Sequence, residues 1–294
     1  MRLVRMTSRP SARTRARKGR SGPRPGIRQR CAVRVTFSPN RVRGQWGAHG
    51  RYIARESATR DAEAAAAGFS ATEEGLDVPK LLDGWQKAGD ERLFRLIISP
   101  EFGDRLDLRK HTRELVAQVE QDLGVQLEWV AVSHFNTGHP HTHIALRGRS
   151  DAGELRLPRE YVKRGLRDRA EALCTAQLGF RTHLDALEAE RREIDAPRFT
   201  SLDRQILKQG SPEGVYVEPT GPPASDYQRI RRLHVAARLR TLATLGLARE
   251  TQPGAWQIRL DSPYILRALQ VGRDRQKLLA LGLSTDHLAS SRER

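Results

Sequence analysis

"QLEWVAVSHFNTGHPHTHIALRG", residues 126–148, is the stretch from which the fold is read. "QLEWVAVSH" reads as a strand, "FNTGHP" as a short polar connection and "HTHIALRG" as a second strand, so the two form a hairpin. The stretch also holds His134, His139, His141 and His143, four of the nine histidines in the chain. Side chains two apart on a strand point the same way. His139, His141 and His143 are therefore expected on one face, with Thr142, Ile144 and Leu146 toward the packed side. The connection can fold His134 back beside them. Three neutral imidazoles from two adjacent strands suit a divalent metal and leave coordination positions open for substrate oxygen. Such a set accepts Mn²⁺, Zn²⁺, Co²⁺ or Ni²⁺, and affinity order does not choose among them. Ala145 is small and is expected to leave room near the ion. His139 sits where the hairpin is still turning before Pro140, so it is placed as a supporting or DNA-contacting group behind His134, His141 and His143.

Outward from the hairpin, "CAVRVTFSPN" reads as a strand over 31–38, and "GAHGRYIARESATRDAEAAAAG" as a helix ending near Gly68. "VPKLLDGWQKA" is a short amphipathic helix and "RLFRLIIS" (92–99) a buried strand. Asp107 opens a helix that sets Leu108, Leu115, Val119 and Leu123 on one face, and Gly124 stops it. Further helices are expected over 159–178 and at "LDALEAERREI". This order predicts an α+β fold, with an antiparallel or mixed central sheet and helices packed on one face.

The expected division is a basic tail at 1–30, a main domain at 31–195, a linker at 196–225 and a C-terminal region at 226–294. The linker is Pro/Gly/Ser-rich. The last region starts with the helix "DYQRIRRLHVAARLRTLATLG" and continues into a hairpin turning at Pro253-Gly254, which together read as a small winged-helix-like unit.

The 294 residues carry a formal net charge of +17, of which the acid-free residues 1–30 supply +11 and the remainder +6. A basic arm attracts any polyanion without reading its sequence. No apolar run approaches the ~20 residues that span a bilayer, so no membrane insertion is expected. The Arg-rich start lacks the apolar stretch of a secretory signal, which points to the cytoplasm. Cys31 and Cys174 stand far apart, match no metal spacing and are expected as reduced thiols.

"VAVSHFNTGHPHTHIALRG" resembles the metal-binding motif of the HUH endonucleases, specifically the Vir/Mob-type relaxases of mobilisation systems. The pattern falls on His134, Pro140, His141 and His143. Asn136 stands where many members carry Asp, which weakens an acid–base role there and leaves it as a supporting or DNA-contacting group. The resemblance, over about 31–178, implies a relaxase fold and a divalent ion, Mg²⁺ or Mn²⁺, on His134, His141 and His143. It also implies a tyrosine nucleophile. "AHGRYIARES" is similar to the family's tyrosine context, which puts Tyr52 in that role and Arg55 as its arginine. His49 and Tyr52 are i and i+3 on a helix, so His49 can orient the phenol or accept its proton. Arg55, Arg147 and Arg149 are the candidate phosphate contacts.

The implied reaction is site- and strand-specific DNA nicking by transesterification at a transfer origin, through a 5′-phosphotyrosyl intermediate. The implied partners are single-stranded DNA, relaxosome accessory proteins and a type IV secretion coupling protein, in the bacterial cytoplasm. Two rivals stand beside this reading. One is a non-catalytic DNA-binding accessory protein that works through the basic tail and the C-terminal unit. The other is a histidine-triad nucleotide hydrolase, which "HPHTHIA" also suggests, although that motif wants apolar residues between its histidines and gives no role to His134 or Tyr52.

Overall fold

The computed structural model describes residues 26–56, 67–135 and 139–280. The basic tail, the far end of the helix expected to reach Gly68, and Asn136 all fall partly or wholly outside these residues. The first part of the chain runs β1 (Cys31–Pro39), α1 (Gln45–Glu56), α2 (Val78–Lys87), β2 (Arg92–Pro100), α3 (Leu108–Leu123), β3 (Leu127–His134), β4 (His141–Ser150), β5 (Gly153–Glu154), α4 (Leu166–Leu178) and α5 (His183–Glu193). Its sheet is antiparallel, in the order β1-β2-β4-β3, with the short β5 added to β4. This is the expected α+β fold, and β3 and β4 form the expected hairpin.

Local chemistry explains the element ends. Asp107 accepts from the Lys110 backbone N–H at the start of α3, and Gly124 ends it in the left-handed conformation at φ 65°. Asp77 caps α2 in the same way. A turn of π-helix over Tyr161–Gly165 leads into α4. Gly68 closes no helix. It bridges Leu76, and Phe69 bridges Ala131 on β3, so this segment pairs with the sheet edge.

Helices cover both faces of the sheet, which corrects the expectation of one. On the first face Phe94, Leu96, Ile98, Trp129, Ala131, Ile144 and Leu146 pack against Leu108, Leu115, Val116 and Val119 of α3 and Leu166, Ala170 and Leu173 of α4. On the second face Leu93, Val130, Val132 and Ala145 pack against Trp46 and Ile53 of α1 and Val78, Leu82 and Trp85 of α2. The cause is visible in the strands. β2, β3 and β4 carry apolar side chains on both faces at their centres and are buried at most positions, so both faces need cover. Ala145 is accordingly fully buried under this second layer and leaves no open space.

The second part runs α6 (Ser201–Gln209), β6 (Val215–Val217), α7 (Asp226–Thr244), β7 (Ala248–Gln252), β8 (Ala255–Ile258) and α8 (Ser262–Ala280). Residues 196–225 are thus no plain linker. Thr200 and Asp203 form a reciprocal capping box that starts α6. Leu202, Ile206 and Tyr216 from this segment then enter a core with Val235, Leu239, Leu242, Trp256 and Ile258. The expected helix and Pro253-Gly254 hairpin are present as α7 and β7–β8, and β6 adds a third strand in the order β6-β8-β7. Arg238 of α7 is wholly buried. It donates to both carboxylate oxygens of Asp203, at 2.8 and 2.9 Å, and to the carbonyls of Ile194, Ala196 and Arg198. One guanidinium therefore binds the end of α5 and the start of α6 to α7.

Cys31 and Cys174, unrelated by sequence spacing, meet in the first core beside His111. Among the described residues no helix is long and apolar enough to cross a membrane.

Candidate metal centre

Strand register gathers the histidines. His134, the last residue of β3, lies directly opposite His141, the first of β4, and His143 lies opposite Val132 one step further in. Ring centroids are 5.1 Å apart for His134–His141, 4.6 Å for His134–His143 and 5.0 Å for His141–His143. One ring nitrogen from each falls within a group whose members all lie within 4.8 Å of one another.

Hydrogen bonds orient the rings. His141 donates Nδ1–H to the His139 carbonyl at 2.9 Å, which leaves its Nε2 lone pair 3.2 Å from Nε2 of His143. Two nitrogens bound to one ion at ~2.1 Å stand about 3–3.4 Å apart, so this spacing fits a shared cation. Nε2 of His134 donates to the carbonyl of Ile53 on α1 at 2.8 Å. Such carbonyl partners fix tautomer and ring direction in metal sites. Burial holds the His134 pKa down to about 4, with the charge of His141 adding to the effect, and burial pushes His143 well below the usual histidine range. Both rings are therefore neutral at pH 7 and able to ligate. Three imidazoles at this spacing fit a divalent transition metal.

α1 lies against this cluster. The Tyr52 ring stands perpendicular to that of His143 at 6.3 Å between centroids. His49 stacks on Tyr52 at 6.1 Å with planes 27° apart. The charge of His49 also lowers the pKa of His143, so the three rings form one continuous group. Tyr52, His49, His134, His141 and His143 are thus brought together.

The other predicted residues lie elsewhere. His139 is joined to the cluster by its carbonyl. Burial and the charges of Arg198 and Arg192 lower the pKa of its ring against the opposing effect of Glu193. Arg55 is exposed on α1, one turn beyond Tyr52. Arg147 is held by ion pairs to the buried Asp90 at 2.6 Å and to Glu128 at 2.6 Å. Arg149 is exposed at the far end of β4, six residues and roughly 20 Å from His143. Asn136 lies outside the described residues.

Two arginines that the sequence did not single out share the histidine face. β2 lies between β1 and β4. Arg34, Ile97 and His143 consequently stand in one row across the sheet, and Thr36, Arg95 and Ala145 in the next. Arg34 is thus two strands from His143, about 10 Å at the backbone. Burial and the neighbouring Arg34 charge lower the Arg95 pKa, and its Nε has no hydrogen-bond partner among the described residues. An anion on this face would relieve both. Alternation in β1 and β2 marks Arg34 and Arg95 as outward-facing, but only the strand order puts them beside the histidines.

Gly103 also acts on the site. A Cβ there would come within 2.5 Å of the Pro140 carbonyl oxygen, so only glycine allows the chain to pass this close beneath the turn that delivers His141. Ion pairs from Arg105 to Asp185 and from Arg192 to Asp104 hold the same segment against α5.

A family model described as "Relaxase: MobA/VirD2-like, nuclease domain" matches residues 48–177, which run from the residue before His49 on α1 into α4 and include the whole histidine cluster. No curated protein and no solved structure matches the chain.

Proposed function

We propose, from the premise that this chain carries a MobA/VirD2-like relaxase nuclease domain and belongs with the relaxases of the HUH/Mob type, that it nicks one DNA strand at a transfer origin by tyrosine transesterification. The observation that supports this most is the position of Tyr52, stacked on His49 and edge-to-face with His143, with α1 hydrogen-bonded to His134.

His134, His141 and His143 would hold a divalent ion, which when bound would supply Lewis-acid polarisation of the scissile phosphate and offset the charge gained in the transition state. An all-imidazole donor set favours Mn²⁺ or a later transition metal over Mg²⁺, which prefers oxygen. The Tyr52 phenol transfers its proton to His49 as its oxygen attacks phosphorus. The new bond joins Tyr52 to the 5′ phosphate, and the bond from phosphorus to the 3′ oxygen breaks. The departing 3′ oxygen takes up a proton to become a free hydroxyl. One phosphodiester replaces another, so no nucleotide cofactor is needed and the reverse reaction reseals the strand.

Arg34 and Arg95 are assigned to the DNA backbone, and the exposed Phe135, next to His134, offers a ring on which a base can stack. Arg55 remains a phosphate contact in this reading. Arg147 is assigned to holding β4 through Asp90 and Glu128. Residues 31–195 carry the nuclease, and the C-terminal core serves DNA or the accessory and type IV coupling proteins. The work is done in the bacterial cytoplasm.

The test is incubation of the protein with Mn²⁺ or Mg²⁺ and a pool of single strands from the transfer origin, followed by a denaturing gel. A metal-dependent protein–DNA conjugate that disappears with EDTA is expected. Cleavage leaving a free 5′ phosphate and no conjugate would refute the mechanism.

A further inference from the structure

On the face of the sheet opposite the histidine cluster, three metal-ligating side chains from three elements converge in the core. They are Cys31 at the start of β1, His111 in the first turn of α3 and Cys174 in α4. They are 3%, 0% and 1% exposed, and one donor atom from each falls within 4.8 Å of the others. The Cys31 thiol donates only weakly, to the Ala32 carbonyl at 3.8 Å. The third group is the anomaly. Neither Nδ1 nor Nε2 of the fully buried His111 has a hydrogen-bond partner among the described residues. A buried imidazole with neither nitrogen satisfied calls for a partner, because both atoms have lost water and gained nothing.

We propose that Cys31, His111 and Cys174 form a second, structural metal site for a thiophilic divalent cation of the Zn²⁺ class.

Each part of the arrangement fits such an ion. Two thiolates and one imidazole are the donors that thiophilic cations select. Bonds of ~2.3 Å to sulfur and ~2.0–2.1 Å to nitrogen put donors under ~4 Å apart, so side-chain movement of about 1 Å closes the site. The charge also balances. Binding releases one proton from each thiol, two thiolates cancel the charge of a divalent ion, and His111 binds neutral, so no net charge is left in the apolar core. Without an ion, the neighbouring Cys174 thiol and burial keep Cys31 protonated; a coordinating cation reverses that preference. Burial likewise lowers the His111 pKa to about 4, which keeps its lone pair available at pH 7. A Cys31–Cys174 disulfide would use two of the three groups and leave His111 as unsatisfied as before. An ion accounts for all three. Its position joins the start of β1 to α3 and α4, away from the nicking cluster, so its role is to hold the sheet to its helices.

The experiment uses the metal-free, reduced full-length chain, with Co²⁺ as the spectroscopic probe. Thiolate-to-cobalt charge transfer gives a near-ultraviolet band that an all-histidine site cannot produce, so the band reports this site alone. The band is expected to grow to one equivalent, to vanish when Zn²⁺ is added, and to be lost in Cys174→Ala. His111→Leu is expected to weaken Co²⁺ binding at least tenfold. Should the variants fold poorly, the unsubstituted chain still decides. No thiolate band at saturating Co²⁺ under reducing conditions would overturn the proposal, whatever becomes of DNA nicking.

Discussion

Nε2 of His134 lies 2.8 Å from the carbonyl oxygen of Ile53, the residue that follows Tyr52. A residue of the histidine cluster is thereby tied to the helix that carries the proposed nucleophile. The position of Tyr52 relative to the histidines is set by this bond together with the burial of Ile53 against Val130, Val132 and Ala145. A strand end and a helix far apart in sequence act as one unit.

His134→Ala removes a ligand and this tie together. Mn²⁺ affinity is expected to fall by at least about 100-fold, and covalent adduct formation to fall with it. Isothermal titration with Mn²⁺ checks the first and a denaturing gel the second. Adduct at the unsubstituted rate with metal binding intact would show that His134 is not a ligand.

Gly103 touches neither metal nor DNA in this account, yet it sets the turn before His141. Gly103→Ala must push the Pro140 carbonyl away. Metal affinity is expected to drop about 10- to 100-fold, as when a group that orients a ligand is lost, while far-ultraviolet circular dichroism stays unchanged. Unaltered affinity would mean that the turn yields without moving His141.

Arg95→Ala tests the DNA path. Each phosphate contact with a single strand contributes about 0.7 to the slope of log K against log salt. The variant is expected to bind oligonucleotide more weakly and with a slope shallower by about that amount, measured by fluorescence anisotropy across a salt series. An unchanged slope would remove Arg95 from the DNA contacts.

Burial of His111 sets an acid limit on stability in the metal-free protein. Its folded pKa is about 4 and its ordinary value 6.5, so the unfolded chain takes up this proton first. Above pH 6.5 the group leaves stability unaltered. As pH falls from 6.5 toward 4 the folded state loses ground by about 3 kcal/mol at most. Urea unfolding at pH 7 and pH 4.5 checks this, and His111→Leu should flatten part of the difference.

Arg238 supports the second core through a buried pair with Asp203 and hydrogen bonds to the carbonyls of Ile194, Ala196 and Arg198. Arg238→Ala leaves Asp203 buried without its cation and should destabilise the protein by about 3–5 kcal/mol, read by urea denaturation.

What the sequence made legible was local. Asp107 and Gly124 bounded α3, and the polar "FNTGHP" between two apolar runs marked the hairpin, which in turn aligned His134, His141 and His143. What stayed hidden depends on strand order and on faces. Nothing in "RLFRLIIS" says that β2 lies between β1 and β4, and without that order Arg34 and Arg95 have no connection to His143. The meeting of Cys31, His111 and Cys174 depends on the packing of α4 against β1 and of α3 against α4, which no spacing encodes. Residues 196–225 misled for another reason. Their Pro and Gly content is real, but the Thr200–Asp203 capping box and the apolar pair Leu202 and Ile206 outweigh it over the nine residues of α6.

The most direct measurement is to locate the DNA on the protein. The covalent conjugate is trimmed with nuclease, digested with trypsin and sequenced by mass spectrometry. Cleavage after Arg51 and Arg55 should yield the tetrapeptide Tyr52–Arg55 bearing a phosphodeoxynucleotide on its phenol. A nucleotide on Tyr161, Tyr216, Tyr227 or Tyr264 would contradict the account, because none of these residues belongs to the group of rings that joins α1 to the histidines.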